Sequence, residues 1–192
     1  MKKSVIERKT KETDIYIEID PNRKDIEIMT GIGFFDHMLN AFLFYAGLGG
    51  RISVEGDLYV DSHHTVEDTG IAMGSAVKQS LGDRVGIKRF ASMYVPMDEA
   101  LCRTVLDISG RPYLIFDVPM PQPDMGQYDS CLTEEFMRSF AYAGGITLHQ
   151  KCLYGSNAHH ITEALYKSLG LALKDGTRVL GDTVTSTKGV LD

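Results

Sequence analysis

The chain has 192 residues, of which 43% are hydrophobic and 24% are charged, the composition of a soluble globular protein with a sizeable core. A formal net charge of −6, without any Lys/Arg-rich run, argues against a nucleic-acid partner. No apolar run approaches the roughly 20 residues that span a bilayer, and no secretory h-region follows the N-terminus, so no membrane partner is expected. Cys102, Cys131 and Cys152 lack paired spacing, which indicates reduced thiols and a cytoplasmic location.

The first half of the chain predicts three strand signals and two helices. In "DIYIEID", Ile15, Ile17 and Ile19 alternate with polar residues, which predicts a half-buried strand. After the turn signal "DPNRK", residues 25–29 predict a second strand. The remaining elements are a helix over 35–46 ending at Gly47, a hairpin over 51–60 around Gly56, and a helix that begins at Asp61 or Ser62 and runs to Leu81.

The second half predicts a similar order of elements. Strands are expected over 91–96, 101–108, 113–118 and 146–153, and helices over 133–143 and 157–173. The tail, residues 176–192, is polar and shows no clear element. We therefore predict an α+β fold made of two halves, residues 1–90 and 91–192, each a sheet with two helices in one compact domain.

An internal duplication explains this order. The stretch "DSHHTVED" (61–68) recurs in similar form as "NAHHITEA" (157–164), and the alignment of the two places His63 opposite His159. Upstream, "HMLNAFLFYAGL" matches "EFMRSFAYAGGI", which aligns His37 with Glu135. Two ordered matches indicate that the chain is a duplication of one α+β unit.

The two clusters have the spacing of metal half-sites. Residues i and i+4 share one face of a helix, so His63 with Glu67, and likewise His159 with Glu163, can grip one cation. The second histidine of each pair points about 100° away and is expected to serve a different ion. Each cluster thus offers half a site to each of two metals, and two clusters complete both. The candidate ligands, which exclude the unmatched His149, are His37, His63, His64, Glu67, Glu135, His159, His160 and Glu163.

The ligand types narrow the choice of ion. Imidazole and carboxylate without thiolate favour manganese, iron or zinc over copper(I) or a structural cysteine–zinc site. About three protein ligands for each ion leave coordination positions open, which is typical of a catalytic site. Two other interpretations stay open at this point, a metal-storage scaffold without catalysis and a di-metal hydrolase that activates water.

Eight ordered motifs extend over nearly the whole chain. They are "RKTKET", "GIGFFDHML", "DSHHTVEDTGIAMG", "PMDEAL", "DISGRPYL", "GITLH", "SNAHHITEALYKSLGLAL" and "STKGVL". With these motifs the chain resembles the imidazoleglycerol-phosphate dehydratase family, hydro-lyases of histidine biosynthesis. The resemblance implies ribosomal-S5-like (domain 2) α+β halves, two Mn²⁺ per active site, and a shell of 24 subunits with sites between subunits.

The resemblance also implies roles for individual residues. The metal ligands fall on the eight residues above, except that relatives often have "EHF" where this chain has Glu134-Glu135-Phe136, so Glu135 is a carboxylate in place of a histidine. A pocket for the substrate's phosphate is expected to use the C-terminal tail. The substrate contacts would be Glu12, Arg89, Arg111, Lys167, Ser186, Thr187 and Lys188.

The reaction implied is loss of water from imidazole glycerol phosphate to give imidazole acetol phosphate. The hypothesis is that two metals hold the ring as imidazolate, which expels the side-chain hydroxyl before a base takes the proton from the next carbon. Glu163 is the first candidate for that proton transfer and Glu12 the second, with Glu67 a metal ligand at the same centre. Which ligand binds which ion, and which metal is native, the sequence leaves open.

Overall fold

The first sheet is built on the predicted alternation of isoleucines. In the computed structural model, which describes residues 1–189 and 191, Ile15, Ile17 and Ile19 are almost wholly buried on one face of a strand. The first half forms four strands and two helices: β1 (Ser4–Lys9), β2 (Thr13–Asp20), β3 (Ile26–Met29), α1 (Gly33–Ala46), β4 (Gly49–Gly56) and α2 (His63–Leu81). The sheet has the order β1-β2-β4-β3, in which only β3 and β4 are parallel.

The second half repeats this topology. Its main elements are β5 (Phe90–Met97), β6 (Ala100–Asp107), β7 (Tyr113–Asp117), α3 (Leu132–Gly144), β10 (Thr147–Tyr154) and α4 (Ala158–Gly176). The sheet order is β5-β6-β10-β7, again with one parallel pair, β7 with β10. An additional small hairpin is formed by β8 (Asp124–Met125) and β9 (Tyr128–Asp129). The predicted α+β fold with two similar halves is thus confirmed.

The two halves share one hydrophobic core because their helices pack across the repeat. Helix α2 lies against α3, and α1 lies against α4. At the first crossing an added Cβ on Gly74 would lie 2.4 Å from the carbonyl oxygen of Phe140, and at the second an added Cβ on Gly170 would lie 2.5 Å from that of Phe42. The rings of Phe42 and Phe140 also meet edge to face, with centroids 5.6 Å apart. Residues that align in the sequence therefore make matching contacts at the centre of the molecule.

The predicted end of the first helix at Gly47 is confirmed, and α3 ends in the same way at Gly145. Gly47 and Gly145 follow α1 and α3 with φ of 73° and 65°, the left-handed conformation that glycine adopts without a Cβ penalty. In each case the glycine N–H donates to a carbonyl in the last turn of the preceding helix. This shared ending turns the chain directly into β4 and β10, the central strands of the two sheets.

Three features differ from the sequence prediction. The hairpin expected over 51–60 is wrong: β4 ends at Gly56, and residues 58–60 form a turn in which the N–H of Val60 donates to Asp57. Tyr59 is 92% exposed there, although the alternating pattern predicted a strand with one buried face. Strand β1 and the β8–β9 hairpin were not predicted.

The tail has little regular structure, as expected, but it is hydrogen-bonded to the loop that precedes β5, the first strand of the second sheet. Val179 forms an isolated bridge with Ile87, and the N–H of Leu180 donates to the carbonyl of Gly86. Val190 and Asp192, at the end of the predicted phosphate-binding tail, lie outside the described residues. Within residues 1–189 and 191, none of the helices is long and apolar enough to cross a lipid bilayer.

Candidate metal centre

Donors from both halves of the chain meet at one point on the surface. The ligating atoms of His37, on α1, and of His159 and Glu163, on α4, all lie within 4.8 Å of one another. The Oε2 atom of Glu163 is 3.3 Å from His159 Nε2 and 3.5 Å from His37 Nε2. The i,i+4 pair predicted from the spacing is therefore present on α4, and the packing of α1 on α4 adds the third donor.

Helix α4 presents its histidines through a side-chain cap. The Asn157 side chain accepts hydrogen bonds from the backbone N–H groups of His159 and His160, at 2.9 and 3.3 Å. A capping asparagine satisfies N–H groups that a helix start otherwise leaves without intrahelical partners. Both histidines are thus fixed in the first turn, where the sequence predicted the helix to begin.

Glu163 is the most buried member of this cluster, with 7% of its surface exposed. Burial by itself raises the pKa of a carboxyl, but the ammonium of Lys167, which donates to Oε1 at 2.7 Å, and the neighbouring His37 more than compensate. The pKa of Glu163 is therefore held below its ordinary value. The group is an ionised carboxylate at neutral pH, as a metal ligand must be.

The corresponding donors, on α2 of the first repeat and α3 of the second, are less closely gathered. His63 Nε2 lies 3.4 Å from Glu67 Oε2 on α2, again the predicted i,i+4 pair. Glu135, on α3, lies 3.9 Å from Arg138, one helical turn further along. Among residues 1–189 and 191, the one group of three or more ligating side chains that lies within 4.8 Å is that of His37, His159 and Glu163. Glu135 is not part of it.

The second histidine of each pair points to a carboxylate, away from the first histidine. His64 Nδ1 lies 3.0 Å from Asp57 Oδ2, and His160 Nδ1 lies 2.6 Å from Glu99 Oε2. These hydrogen bonds raise the pKa of both imidazoles. A carboxylate at Nδ1 directs Nε2 to the other side, where it is the atom that a metal ion would meet, and increases the basicity of the ring. This geometry agrees with the expectation that the second histidines serve a separate ion.

Asp57 was not among the predicted site residues, and for Glu99, in the motif "PMDEAL", the sequence left open both a structural role and a contact with the site. Asp57 lies in the turn that had been assigned to a hairpin, and Glu99 lies in the turn between β5 and β6. Each meets its histidine only through the tertiary fold, so residue spacing gave no signal for either. The two carboxylates come from different loops of the repeat, since Asp57 follows β4 whereas Glu99 lies in the turn that corresponds to the one between β1 and β2. Each nevertheless lies at Nδ1 of the second histidine of its cluster.

Arg89 and Arg111, two of the predicted phosphate contacts, converge on Asp107. The Arg89 guanidinium binds both carboxylate oxygens of Asp107, at 2.6 and 3.0 Å, and donates from its third nitrogen to the carbonyl of Thr185 at 2.7 Å. Arg111 approaches the same carboxylate at 3.8 Å. Tail residues Ser186 and Thr187 line a surface cavity with Arg89, and the N–H of Lys188 donates to Ser186. Predicted anion-binding groups are therefore neighbours although they are distant in the sequence.

The other two predicted substrate residues lie with the histidines. Lys167 contacts Glu163, as described above, and its Nζ also lies 5.7 Å from the centre of the Tyr45 ring. Glu12 Oε1 lies 3.8 Å from His64 Nε2. The seven predicted substrate contacts thus divide into three places within the chain: beside His64, beside Glu163, and around Asp107.

Comparison with known proteins assigns the chain to a family. A family model described as imidazoleglycerol-phosphate dehydratase matches residues 30–173. The chain belongs to the imidazoleglycerol-phosphate dehydratase family. A curated relative of that name from Ruminiclostridium cellulolyticum is 52% identical over 196 aligned residues, covering 100% of both chains. The resemblance stated from the motifs is confirmed, and with it the hydro-lyase class of the family.

Two solved members of the family have the same fold. The imidazoleglycerol-phosphate dehydratase from Staphylococcus aureus superposes with a TM-score of 0.85 at 36% identity, covering 92% of this chain and 99% of that one. The dehydratase from Pyrococcus furiosus, solved in complex with (S)-C348, gives a TM-score of 0.86 at 41% identity, and the match covers 97% of this chain and 100% of that one. The imidazoleglycerol-phosphate dehydratase fold therefore extends over almost the entire chain.

Proposed function

We propose that this chain is a metal-dependent imidazoleglycerol-phosphate dehydratase, which removes water from imidazole glycerol phosphate and forms imidazole acetol phosphate in histidine biosynthesis. The observation that carries the proposal is the meeting of His37, from the first repeat, with His159 and Glu163, from the second. A donor set shared by two repeats requires the whole fold, and the whole fold is what this chain has in common with the dehydratases. The cytoplasm is the proposed location, supported by three free cysteines.

The residues present fit two divalent ions of the manganese type. Eight donors would hold the ions, and each donor in one repeat has a corresponding donor in the other. The corresponding residues are His37 and Glu135, His63 and His159, His64 and His160, and Glu67 and Glu163. All are imidazole or carboxylate groups, and Asp57 and Glu99 support the two rings that lie outside the central cluster. Bound there, the ions would supply Lewis acidity that favours the deprotonated imidazole ring of the substrate and would fix its orientation.

Glu163 is the first proposed proton carrier. The reaction must move a proton from the carbon that becomes the ketone, and a carboxylate held ionised by Lys167 can accept it. Glu12 is the second choice because it lies beside His64 and remains half exposed to solvent. Glu67, whose position corresponds to Glu163 in the first repeat, lacks a lysine partner, since Ile71 stands where α4 has Lys167, and we propose it as a ligand only.

Arg89, Arg111 and the tail are proposed to bind the phosphate. A guanidinium already fixed by Asp107 is pre-organised for a second anion, and Ser186, Thr187 and Lys188 add hydroxyl and ammonium donors beside it. Asp107 and the carbonyl of Thr185 use three of the five N–H donors of Arg89, which leaves one N–H on each terminal nitrogen for the phosphate. Binding of phosphate there would anchor the substrate away from the reacting carbons.

A 24-subunit shell is the proposed assembly, with active sites completed between subunits. In a single chain, three groups lie apart from one another: Glu12, the cluster of His37, His159 and Glu163, and the cavity beside Arg89. This separation agrees with an active site that is completed by a second subunit. Chelation is expected to dissociate the shell into smaller particles, as measured by light scattering. An unchanged particle size after complete metal removal would contradict metal-driven assembly.

The function is tested by product identification. The purified protein should convert imidazole glycerol phosphate into a ketone detected by its absorbance and by NMR, without releasing inorganic phosphate. The same preparation should not hydrolyse a panel of phosphate esters and amides. Hydrolysis of that panel, with no ketone formed, would instead identify a di-metal hydrolase.

A further inference from the structure

One segment of the second repeat has no counterpart in the first. Residues 30–32 alone connect β3 to α1, whereas residues 118–131 connect β7 to α3 and contain β8 and β9. The duplication gives no reason for this insertion, which we define as residues 118–131. It lies between the two histidine-bearing helix starts: one surface cavity at its side includes His63, and another includes Phe34 and His159.

The insertion is anchored in the core. Tyr128 is fully buried, and its ring centroid lies 5.2 Å from that of Phe34 and 5.9 Å from that of Phe35, at the start of α1. Its hydroxyl lies 3.3 Å from Thr133 Oγ1, to which it donates, and 3.4 Å from the hydroxyl of Tyr166 on α4. The segment is therefore fixed to three helices, and the groups that it presents have defined positions.

From this anchor the insertion reaches the start of α4. The side-chain oxygen of Gln122 accepts a hydrogen bond from the N–H of Ala158 at 2.7 Å, and its amide nitrogen donates to the carbonyl of Ser156 at 3.2 Å. The N–H of Ala158 belongs to the first turn, whose donors have no partner inside the helix. Phe34 adds a second link, since it touches Tyr128 and also meets the His159 ring edge to face at 5.0 Å.

The insertion reaches the start of α2 on its other side. The hydroxyl of Ser62, the residue before the helix, donates to the carbonyl of Gln127 at 2.7 Å. His63, the first residue of α2, follows immediately. One short segment therefore holds the residues next to both His63 and His159, on helices that belong to different repeats.

We propose that the insertion positions the two histidine-bearing helix starts relative to each other, with Gln122 and Ser62 as positioning residues for the metal ligands. The inference rests on the proposed function, since it gives the insertion a role in the same metal centre. Metal affinity depends on how well the ligands are held before the ion arrives, and loss of a hydrogen bond to a ligand itself typically costs about 10- to 100-fold in affinity. Gln122 and Ser62 act one residue away from the ligands, so the lower end of that range is expected. Neither side chain contacts an ion or a reacting atom in this account.

The test is a titration of the metal-free protein with Mn²⁺ alone, followed by the EPR signal of the free ion. We expect Gln122→Met, which keeps the size of the side chain but not its polar atoms, to bind Mn²⁺ about tenfold more weakly. Ser62→Ala should weaken binding in the same direction. Gln122→Glu, which keeps the acceptor for the N–H of Ala158 but loses the donor to the carbonyl of Ser156, should lose less affinity than Gln122→Met.

The matched control is Gln79→Met on the far end of α2. Gln79 is also an exposed glutamine with one side-chain hydrogen bond, from Ser4, and it lies away from the insertion. Parent-like affinity in both Gln122→Met and Ser62→Ala would overturn the inference, as would an equal loss in Gln79→Met. A parent that binds Mn²⁺ but forms no ketone would defeat the proposed function and leave the inference standing, whereas a parent that binds no Mn²⁺ would overturn both.

Discussion

His37 Nε2, from the first repeat, lies 3.5 Å from Glu163 Oε2, from the second. Their contact exists because α1 packs on α4, with the carbonyl of Phe42 resting against Gly170. A single copy of the repeat has no such partner helix. The arrangement completes the His-His-x-x-Glu cluster of α4 with a donor from the other repeat, which neither repeat supplies alone.

Replacement of Glu163 should separate metal binding from turnover. Glu163→Gln removes the ionised carboxylate beside Lys167 but keeps the size of the side chain, and we expect kcat to fall about 100-fold or more while KM changes little. Bound metal must be measured on the same sample. The control is Glu134→Gln, which removes a half-buried carboxylate that pairs only with Arg138 among the described contacts. Loss of metal in proportion to activity would assign Glu163 a ligand role alone.

The carboxylates that contact the second histidine of each pair should increase the affinity for the metal. Asp57→Asn and Glu99→Gln remove the negative groups at His64 Nδ1 and His160 Nδ1, and each should weaken Mn²⁺ binding about 10- to 100-fold. Asp117→Asn, which breaks only an exposed pair with Lys151, should bind like the parent. Unchanged affinity in both site variants, measured by the same EPR titration, would mean that these carboxylates do not support the ligands.

Arg89 should matter for the substrate's phosphate. Arg89→Lys keeps the charge but loses the two-pronged contact with Asp107, so we expect KM to rise about tenfold with a smaller change in kcat. Arg103→Lys, at a guanidinium that stacks on exposed Tyr94, is the matched control. Steady-state kinetics with imidazole glycerol phosphate decides between them, and an equal response of the two variants would contradict a phosphate role for Arg89.

The close helix crossings should be intolerant of a methyl group. In Gly170→Ala the new Cβ would lie 2.5 Å from the carbonyl oxygen of Phe42, which is too close for the helices to keep their present packing. We therefore expect the free energy of unfolding to fall by about 1 to 3 kcal/mol. Gly33→Ala, at the first residue of α1 with no atom near the new methyl group, should be neutral or slightly stabilising. Urea denaturation of both variants measures the difference. Equal stability would show that α1 and α4 can separate without loss.

The sequence was sufficient for those parts of the fold that rest on local patterns. Alternating isoleucines in β2, glycines that end α1 and α3, and the i,i+4 pairs His63–Glu67 and His159–Glu163 all follow from the geometry of a single element. The hairpin over 51–60 failed for the opposite reason. Alternation indicates an extended run but does not identify the partner, and β4 pairs with β2 and β3 instead.

Tertiary contacts account for what the sequence did not predict. The pairing of His64 with Asp57 and of His160 with Glu99 depends on how a loop lies beside a helix start. Strand β1 is recognisable only through its ladder with β2, because charged residues interrupt its apolar pattern. The role of residues 118–131 likewise appears only once Tyr128 is seen inside the core.

The most direct test of the central claim is the ketone-forming assay on imidazole glycerol phosphate, run after complete chelation and again after Mn²⁺ is restored, with bound metal counted at each stage. Activity should disappear with the metal and return with it, at two ions per active site. Protein that demonstrably holds its ions but forms no ketone would rule out metal-dependent dehydration by this chain.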